Sequence, residues 1–492
     1  MDSQHTPVVI GAGIAGLLTA LHLAPMRCLL LTSGTITGSE LCASSLAQGG
    51  IAAAIAPGDS PQSHAHDTIA AGAGLSDPRV VERVCAKAPD VIETLRRFGV
   101  NFDQMESGEL RLGLEGGHSA RRIIHASDHT GAEIMRALRI AVEYSEHITV
   151  WDNTTVTDIN APTGRVESLT INRADKHMVI PATRVVLATG GLGGLFRHTT
   201  NPPGARGQGI ALAARAGARI TDLEFVQFHP TALDVGGHQL PLVSEAVRGE
   251  GVPLIDSAGL PILDDALSTR DIVARAVWRA GEEGREVFLA TQQCRTRFSQ
   301  RFPTIASRCR ESGIDPDVEP IPVRVAAHYS MGGIDVDASG RSSVDGLWAC
   351  GEVARTGLHG GNRLASNSLL EAGAYAHWIA QDIQATAPSK SRATPSNKTT
   401  SVNELHPSRA ADTPASLKRV QEIVSSALGV EREESRLREA IDQLEPLEKT
   451  DAGLVAMLMA RAALARTESV GAHWRSDAHI SSQPVKHLEW SA

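Results

Sequence analysis

Val8-Val9-Ile10-Gly11-Ala12-Gly13-Ile14-Ala15-Gly16 is the stretch on which the fold turns. Val8 to Ile10 reads as a short buried strand, Gly11 to Gly16 as a turn, and Leu17 to Leu23 as the start of a helix. Leu29-Leu30-Leu31 is then the next strand. In the Gly11-x-Gly13-x-x-Gly16 spacing the first glycine permits a tight turn. The second lets backbone approach a pyrophosphate, and the third lets helix pack on strand. The helix N-terminus then faces the phosphates. A strand–turn–helix–strand unit of this kind predicts an α/β fold with a doubly wound parallel sheet and a dinucleotide site.

Outward from this unit, Val185-Val186-Leu187-Ala188 running into Thr189-Gly190-Gly191 is a second strand of the same sheet, with β-rich sequence before it at 148–180. The texture changes from about Asp222 to Ser330, with several prolines and an Arg-rich helix near Asp271–Arg279, and reads as an inserted α+β cap. Glycines return at Met331-Gly332-Gly333 and Gly351–Gly361, where the chain re-enters the first domain. The expected boundaries are 1–222 and 331–385 for the two parts of the doubly wound domain and 223–330 for the capping, substrate-bearing domain. A Ser/Thr/Pro-rich linker is expected at 386–416 and a helical bundle at 417–492.

With 492 residues the chain calls for two or three domains. A net charge of −9 and an aromatic content of 3% argue against a nucleic-acid surface. The six cysteines form no C-x-x-C pair and no metal-ligand spacing, so neither a metal site nor a disulfide framework is expected. No run of eighteen apolar residues occurs. The expectation is a cytoplasmic protein with no membrane partner.

Of the 45 glycines, only Gly429, Gly453 and Gly471 lie beyond residue 373, so the excess belongs to the first two domains. One part of the dinucleotide fingerprint is missing. The second strand ends Leu31-Thr32-Ser33-Gly34, with no acid for ribose hydroxyls, and Ser33 is the available contact. Ala47-Gln48-Gly49-Gly50-Ile51 is a small-residue segment able to lie against a flat cofactor or simply to pack on the sheet. Ser366-Asn367-Ser368-Leu369 reads as a helix N-terminus, either facing a ligand or serving as an ordinary cap.

Several further motifs occur together. They are Glu115-Gly116-Gly117-His118-Ser119, Glu224-Phe225-Val226-Gln227-Phe228-His229-Pro230-Thr231, Glu245-Ala246-Val247-Arg248-Gly249-Glu250-Gly251, Arg270-Asp271-Ile272-Val273-Ala274-Arg275-Ala276, Ala327-His328-Tyr329 and His359-Gly360-Gly361-Asn362-Arg363. With them the chain resembles the succinate dehydrogenase/fumarate reductase flavoprotein family, in its L-aspartate-oxidising branch. The resemblance implies FAD as cofactor and oxidation of L-aspartate to iminoaspartate, with oxygen or fumarate as acceptor. That is the first step toward quinolinate and NAD, and the resemblance implies functional coupling to quinolinate synthase.

Residue by residue, the resemblance implies FAD contacts from Gly11, Ala12, Gly13, Ile14, Ala15 and Gly16, from Ser33, and from the segment Ala43, Ser44, Ser45, Leu46, Ala47, Gln48, Gly49 and Gly50. Gln208, Glu352, Ser368 and Leu369 complete the set. Respiratory relatives attach FAD to a histidine five residues before the glutamine. Ala43 stands there, so FAD should be non-covalent. Gln208 replaces an aspartate of the family. Glu115 stands where those relatives carry a bulky apolar residue, and a carboxylate suits a substrate ammonium.

Gln227, His229, Ser244, His328 and Arg363 are implied as substrate-binding, and Arg275 with Glu115 as catalytic. Arg248 and Glu245 are expected to form supporting charge pairs. Three alternatives stay open: a soluble fumarate reductase or succinate-oxidising flavoprotein, a non-catalytic FAD-binding protein, and a nicotinamide-dependent dehydrogenase.

Overall fold

The computed structural model describes residues 5–37, 42–174, 176–265, 268–294, 296–386, 409–478, 487 and 489–490. Most of the expected linker, 387–408, lies outside the described residues, as does part of the tail beyond 478. Five parallel strands form the central sheet, in the order Leu347–Ala349, Val185–Leu187, Val8–Ile10, Cys28–Leu31 and Ile148–Trp151. Val8 pairs with Val185 on one side and Leu29 on the other. From Val8–Ile10 the chain winds outward one way, then returns at Val185 to wind the other way. This reversal is the switch point at which an open parallel sheet holds its ligand.

Helix Ile14–His22 is buried at Ile14 through Leu21, so it is an internal helix and not an amphipathic surface one. Its entry depends on two glycines. Gly11 has φ +109, and a Cβ there would lie 2.2 Å from the Ala188 carbonyl oxygen. A Cβ on Gly16 would lie 1.9 Å from the Gly11 carbonyl oxygen. Strand, turn and helix therefore touch backbone to backbone, which only glycine allows.

The inserted segment builds an antiparallel sheet in the order Val226–Leu233, Ile321–Ser330, Val287–Leu289, Leu254–Asp256. Helix Arg270–Glu282 covers it with Val273, Val277 and Ala280, spaced three and four apart on one face. Together with Phe298, Phe302 and Ile305 these residues form an apolar core of their own.

Three C-terminal helices, Pro414–Ala427, Glu434–Leu444 and Asp451–Ala465, pack on one another. They share a continuous core with the parallel sheet, and Asp451–Ala465 lies against helix Gln208–Arg215. Among the described residues no helix is long and apolar enough to cross a membrane.

Replacing Gly16 by alanine drives a methyl group into the Gly11 carbonyl, and such overpacking typically costs about 1–3 kcal/mol. The purified variant is expected to carry little flavin absorbance and to melt at a lower temperature than the parent. Full flavin content with an unchanged melting profile would contradict the close approach described.

Candidate active site

The carboxyl ends of the parallel strands lead into Gly11, Ser33, Thr189 and the Cys350–Glu352 turn, which therefore line one crevice. The N-terminus of helix Ile14–His22 opens there with no acidic residue in its first turn, a setting favourable to a pyrophosphate. Ser44, on the short helix Ala43–Leu46, accepts the Ile14 N–H at 3.1 Å and fixes that helix against the glycine turn. Among the described residues, Gln48 Oε1 and Thr189 Oγ1 are buried without a hydrogen-bond partner. Orphaned polar atoms of this kind call for a polar ligand.

The glycine approach and these two atoms fit FAD, and the methyl group of Ala43 offers no covalent attachment. Glu352 accepts the Ser330 N–H at 3.0 Å, and burial pushes its carboxyl up to about 7. Ser33 sits exposed at the end of its strand. Gln208 Oε1 takes the Arg206 N–H at 3.4 Å. Ser368 and Leu369 lie half-buried in the first turn of helix Asn367–Ala385.

Beside this crevice the cap contributes a buried charge cluster. Glu245 receives Arg270 Nε at 2.7 Å and also pairs with Arg248. Burial pushes the Glu245 carboxyl up, but the two guanidinium groups override it and hold it below its ordinary range. Arg270 also donates to Gln227 Oε1 at 3.1 Å. The Gln227 amide in turn donates to the Arg363 carbonyl at 2.7 Å and to Asn362 Oδ1 at 3.0 Å. Gln227 thus joins the cap helix to the loop that carries Arg363.

Arg363 lies over the Tyr329 ring, 4.6 Å from its centroid, and its Nε is buried with no partner among the described residues. Burial and the Arg270 charge lower its pKa to about 10, so it stays cationic at neutral pH. Glu115 is 3% exposed. Burial and the neighbouring Glu245 raise its pKa, opposed by a hydrogen bond from Ser366 and by the charges of Arg270 and Arg363. Its Oε1 lies 3.3 Å from where a Cβ on Gly49 would stand, so this carboxylate borders the cofactor segment directly.

The two histidines are neutral rings. His229 Nδ1 accepts the Thr231 N–H at 3.2 Å, which assigns the proton to Nε2, a buried atom with no partner among the described residues. His328 Nδ1 is bonded to Thr200 Oγ1 at 2.7 Å, and the two imidazole rings are 5.0 Å apart. Gln227 pairs with Tyr329 and Phe228 with Ala327, so His328 is the extra residue of a β-bulge. The bulge turns its side chain toward His229. Burial, with Arg270 nearby, holds both rings well below 6.5. The Ser244 hydroxyl accepts the Ala246 N–H at 3.3 Å at the base of the cluster.

Arg275, expected as catalytic, does not join this cluster. Its guanidinium is held by Asp271 at 3.0 Å and the Gly471 carbonyl at 3.2 Å, and lies 4.5 Å from the Trp474 ring centroid. Five residues of α-helix turn it about 140° away from Arg270. The arginine of this helix that joins the cluster is Arg270, on its first turn. It lies within the matched motif, but motif order alone does not say which of two arginines five apart faces inward. Ser366, at the expected helix N-terminus, also belongs to the cluster: its hydroxyl donates to Glu115 at 2.6 Å.

Residues 6–369 match the family described as FAD binding domain, and residues 445–483 the one described as fumarate reductase flavoprotein C-term. An L-aspartate oxidase of Mesorhizobium japonicum is 50% identical over 490 residues, covering 97% of this chain and 93% of that protein. One from Agrobacterium fabrum is 47% identical, covering 97% and 92%. Among solved structures, an E. coli quinol fumarate reductase, solved as a point mutant, superposes with TM-score 0.89. Its identity is 27%, with 98% of this chain and 94% of that one covered. A quinol–fumarate reductase with menaquinol gives TM-score 0.86 at 28% identity, covering 96% and 92%.

The environment of the two histidines sets a spectroscopic expectation. Nitrogen-15 labelling of histidine should show His229 as a neutral Nε2–H ring at pH 6, with no titration between pH 6 and 8. Protonation with a midpoint near 6.5 would contradict the burial and the neighbouring cations.

Proposed function

The chain belongs to the L-aspartate oxidases of the succinate dehydrogenase/fumarate reductase flavoprotein family, and on that premise we propose which of its residues carry the reaction. The reaction is oxidation of L-aspartate to iminoaspartate, with oxygen (giving hydrogen peroxide) or fumarate as acceptor, the first step toward quinolinate and NAD. Bound FAD supplies the two-electron acceptor. In our reading the product passes to quinolinate synthase, and both enzymes work in the cytoplasm.

Aspartate carries two carboxylates and one ammonium. Arg363, poised on Tyr329 with no carboxylate partner among the described residues, grips one carboxylate, aided by the Nε2–H of His229 and by His328. Arg270, fixed by Glu245 and Gln227, stabilises charge that develops at the substrate. Glu115 receives the ammonium. Burial raises its proton affinity, which suits it to draw a proton from the amine as the C–N bond is oxidised.

The observation that carries this reading is the placement of Glu115, a buried carboxylate set against Gly49 and facing the arginine side of the cluster. A site for succinate alone has no use for it. Under anaerobic conditions L-aspartate should bleach the flavin and succinate should not. Reduction by succinate alone would overturn the reading. Glu115→Gln should weaken L-aspartate while leaving succinate binding near that of the parent.

The same geometry orders the arginine variants. Arg270→Leu should lower kcat/KM for L-aspartate by about 10²–10³ or more, the scale of losing a donor aimed at developing charge. Arg275→Leu should cost less than about tenfold, since its contacts are to Asp271 and the tail. Steady-state kinetics on the two flavin-loaded variants checks the order.

The pH profile follows from Glu115. The group must be charged to hold an ammonium, and its pKa is raised. Affinity for L-aspartate is therefore full above that raised value and falls as pH drops through it. Glu115→Gln should remove this limb from a plot of log kcat/KM against pH.

A further inference from the structure

Ser366 stands at the N-cap of helix Asn367–Ala385, the place where a serine usually caps, yet its side chain makes no cap hydrogen bond. Its backbone has φ +63 and ψ 7, a left-handed conformation unusual outside glycine. That backbone directs the hydroxyl away from the helix and onto Glu115 Oε2 at 2.6 Å, with both residues buried.

The residues around it hold it there. The Ser366 carbonyl accepts the Ala52 N–H at 3.0 Å. One position earlier, the Ala365 carbonyl accepts His118 Nε2–H at 3.0 Å, and His118 Nδ1 receives Arg122 at 3.4 Å, which fixes the tautomer. Arg122 is itself clamped by Asp59 and Asp67. One position later, Asn367 is bonded to His64 at 2.8 Å and Thr68 at 3.0 Å. Three consecutive residues are pinned from three other segments, and the helix forgoes a side-chain cap.

We propose that Ser366 is the positioning residue that confers amino-acid specificity: its hydroxyl orients the Glu115 carboxylate toward the substrate ammonium and keeps it in the anionic form that binds one. This rests on the reading of Glu115 as the ammonium receptor. The charged groups facing Glu115 are Glu245, which disfavours the anion, and Arg270 and Arg363, which favour it. Both arginines are also the groups that grip the substrate's anionic end and its developing charge. Ser366 alone among these neighbours favours the anion without that second duty.

The test is Ser366→Gly in the flavin-loaded enzyme. Glycine accepts the left-handed backbone, so the variant deletes the hydroxyl and spares the turn. L-aspartate should bind about tenfold or more weakly, the scale of a hydrogen bond to a charged group, while succinate, which lacks the amine, binds as to the parent. The acidic limb of kcat/KM for L-aspartate should move to higher pH, because an unassisted Glu115 ionises later.

Equal weakening of aspartate and succinate, or an unmoved acidic limb, overturns the proposal and leaves Ser366 a structural residue. Glu115→Gln separates the two levels. If it abolishes the preference for aspartate while Ser366→Gly keeps it, Glu115 is the receptor and Ser366 has no part in it. If Glu115→Gln leaves aspartate binding intact, the receptor assignment itself is wrong.

Discussion

One carboxylate shared by two guanidinium groups, Glu245 between Arg248 and Arg270, sets the terms for everything around it. All three residues are buried, and a lone ion in such a place costs several kcal/mol. The sharing fixes where Arg270 points, and through Gln227 it fixes the loop of Asn362 and Arg363. It also leaves an imbalance. Among the described residues Arg363 and Glu115 are taken out of water without an ion pair of their own, and in the proposed reading a zwitterionic dicarboxylate carries the charges they lack.

Burial first, and the cations nearby second, keep His229 and His328 neutral, so neither ring brings a charge to the site. A substrate with too many negative charges would be matched by two arginines alone. In the reading proposed above, Glu115, a buried acid held by no guanidinium hydrogen bond among the described residues, makes the pocket selective for one that brings a positive group as well.

The sequence made the sheet legible because its signals are local. A β-strand, three glycines and a helix start lie within nine residues, and the backbone contacts of Gly11 and Gly16 require just those residues. The cap was legible from its change of texture and the tail from its helical spacing. The site was legible as a set of motifs but not as an arrangement. Arg270 and Arg275 occur in the same matched segment, and only their faces on the helix separate them. His328 reaches His229 through a bulge, which depends on pairing with a strand about a hundred residues earlier. Serine before a helix usually caps it, so the sequence around Ser366 reads as a cap. Its true partner, Glu115, is distant in sequence, and no local pattern announces a hydroxyl turned the wrong way.

The strand order also fixes the sequence in which the protein can be completed. Val185–Leu187 is flanked by Val8–Ile10, made at the very start, and by Leu347–Ala349, made only after the whole cap. At synthesis rates of about 5–20 residues per second, the ribosome takes roughly 10–30 s to travel from the middle strand to the outer one. In that interval every residue of the cap's own core has been delivered, while the cofactor crevice still lacks a wall. A nascent chain therefore holds every residue of the insert's core before the parallel sheet, and the crevice at its strand ends, can close.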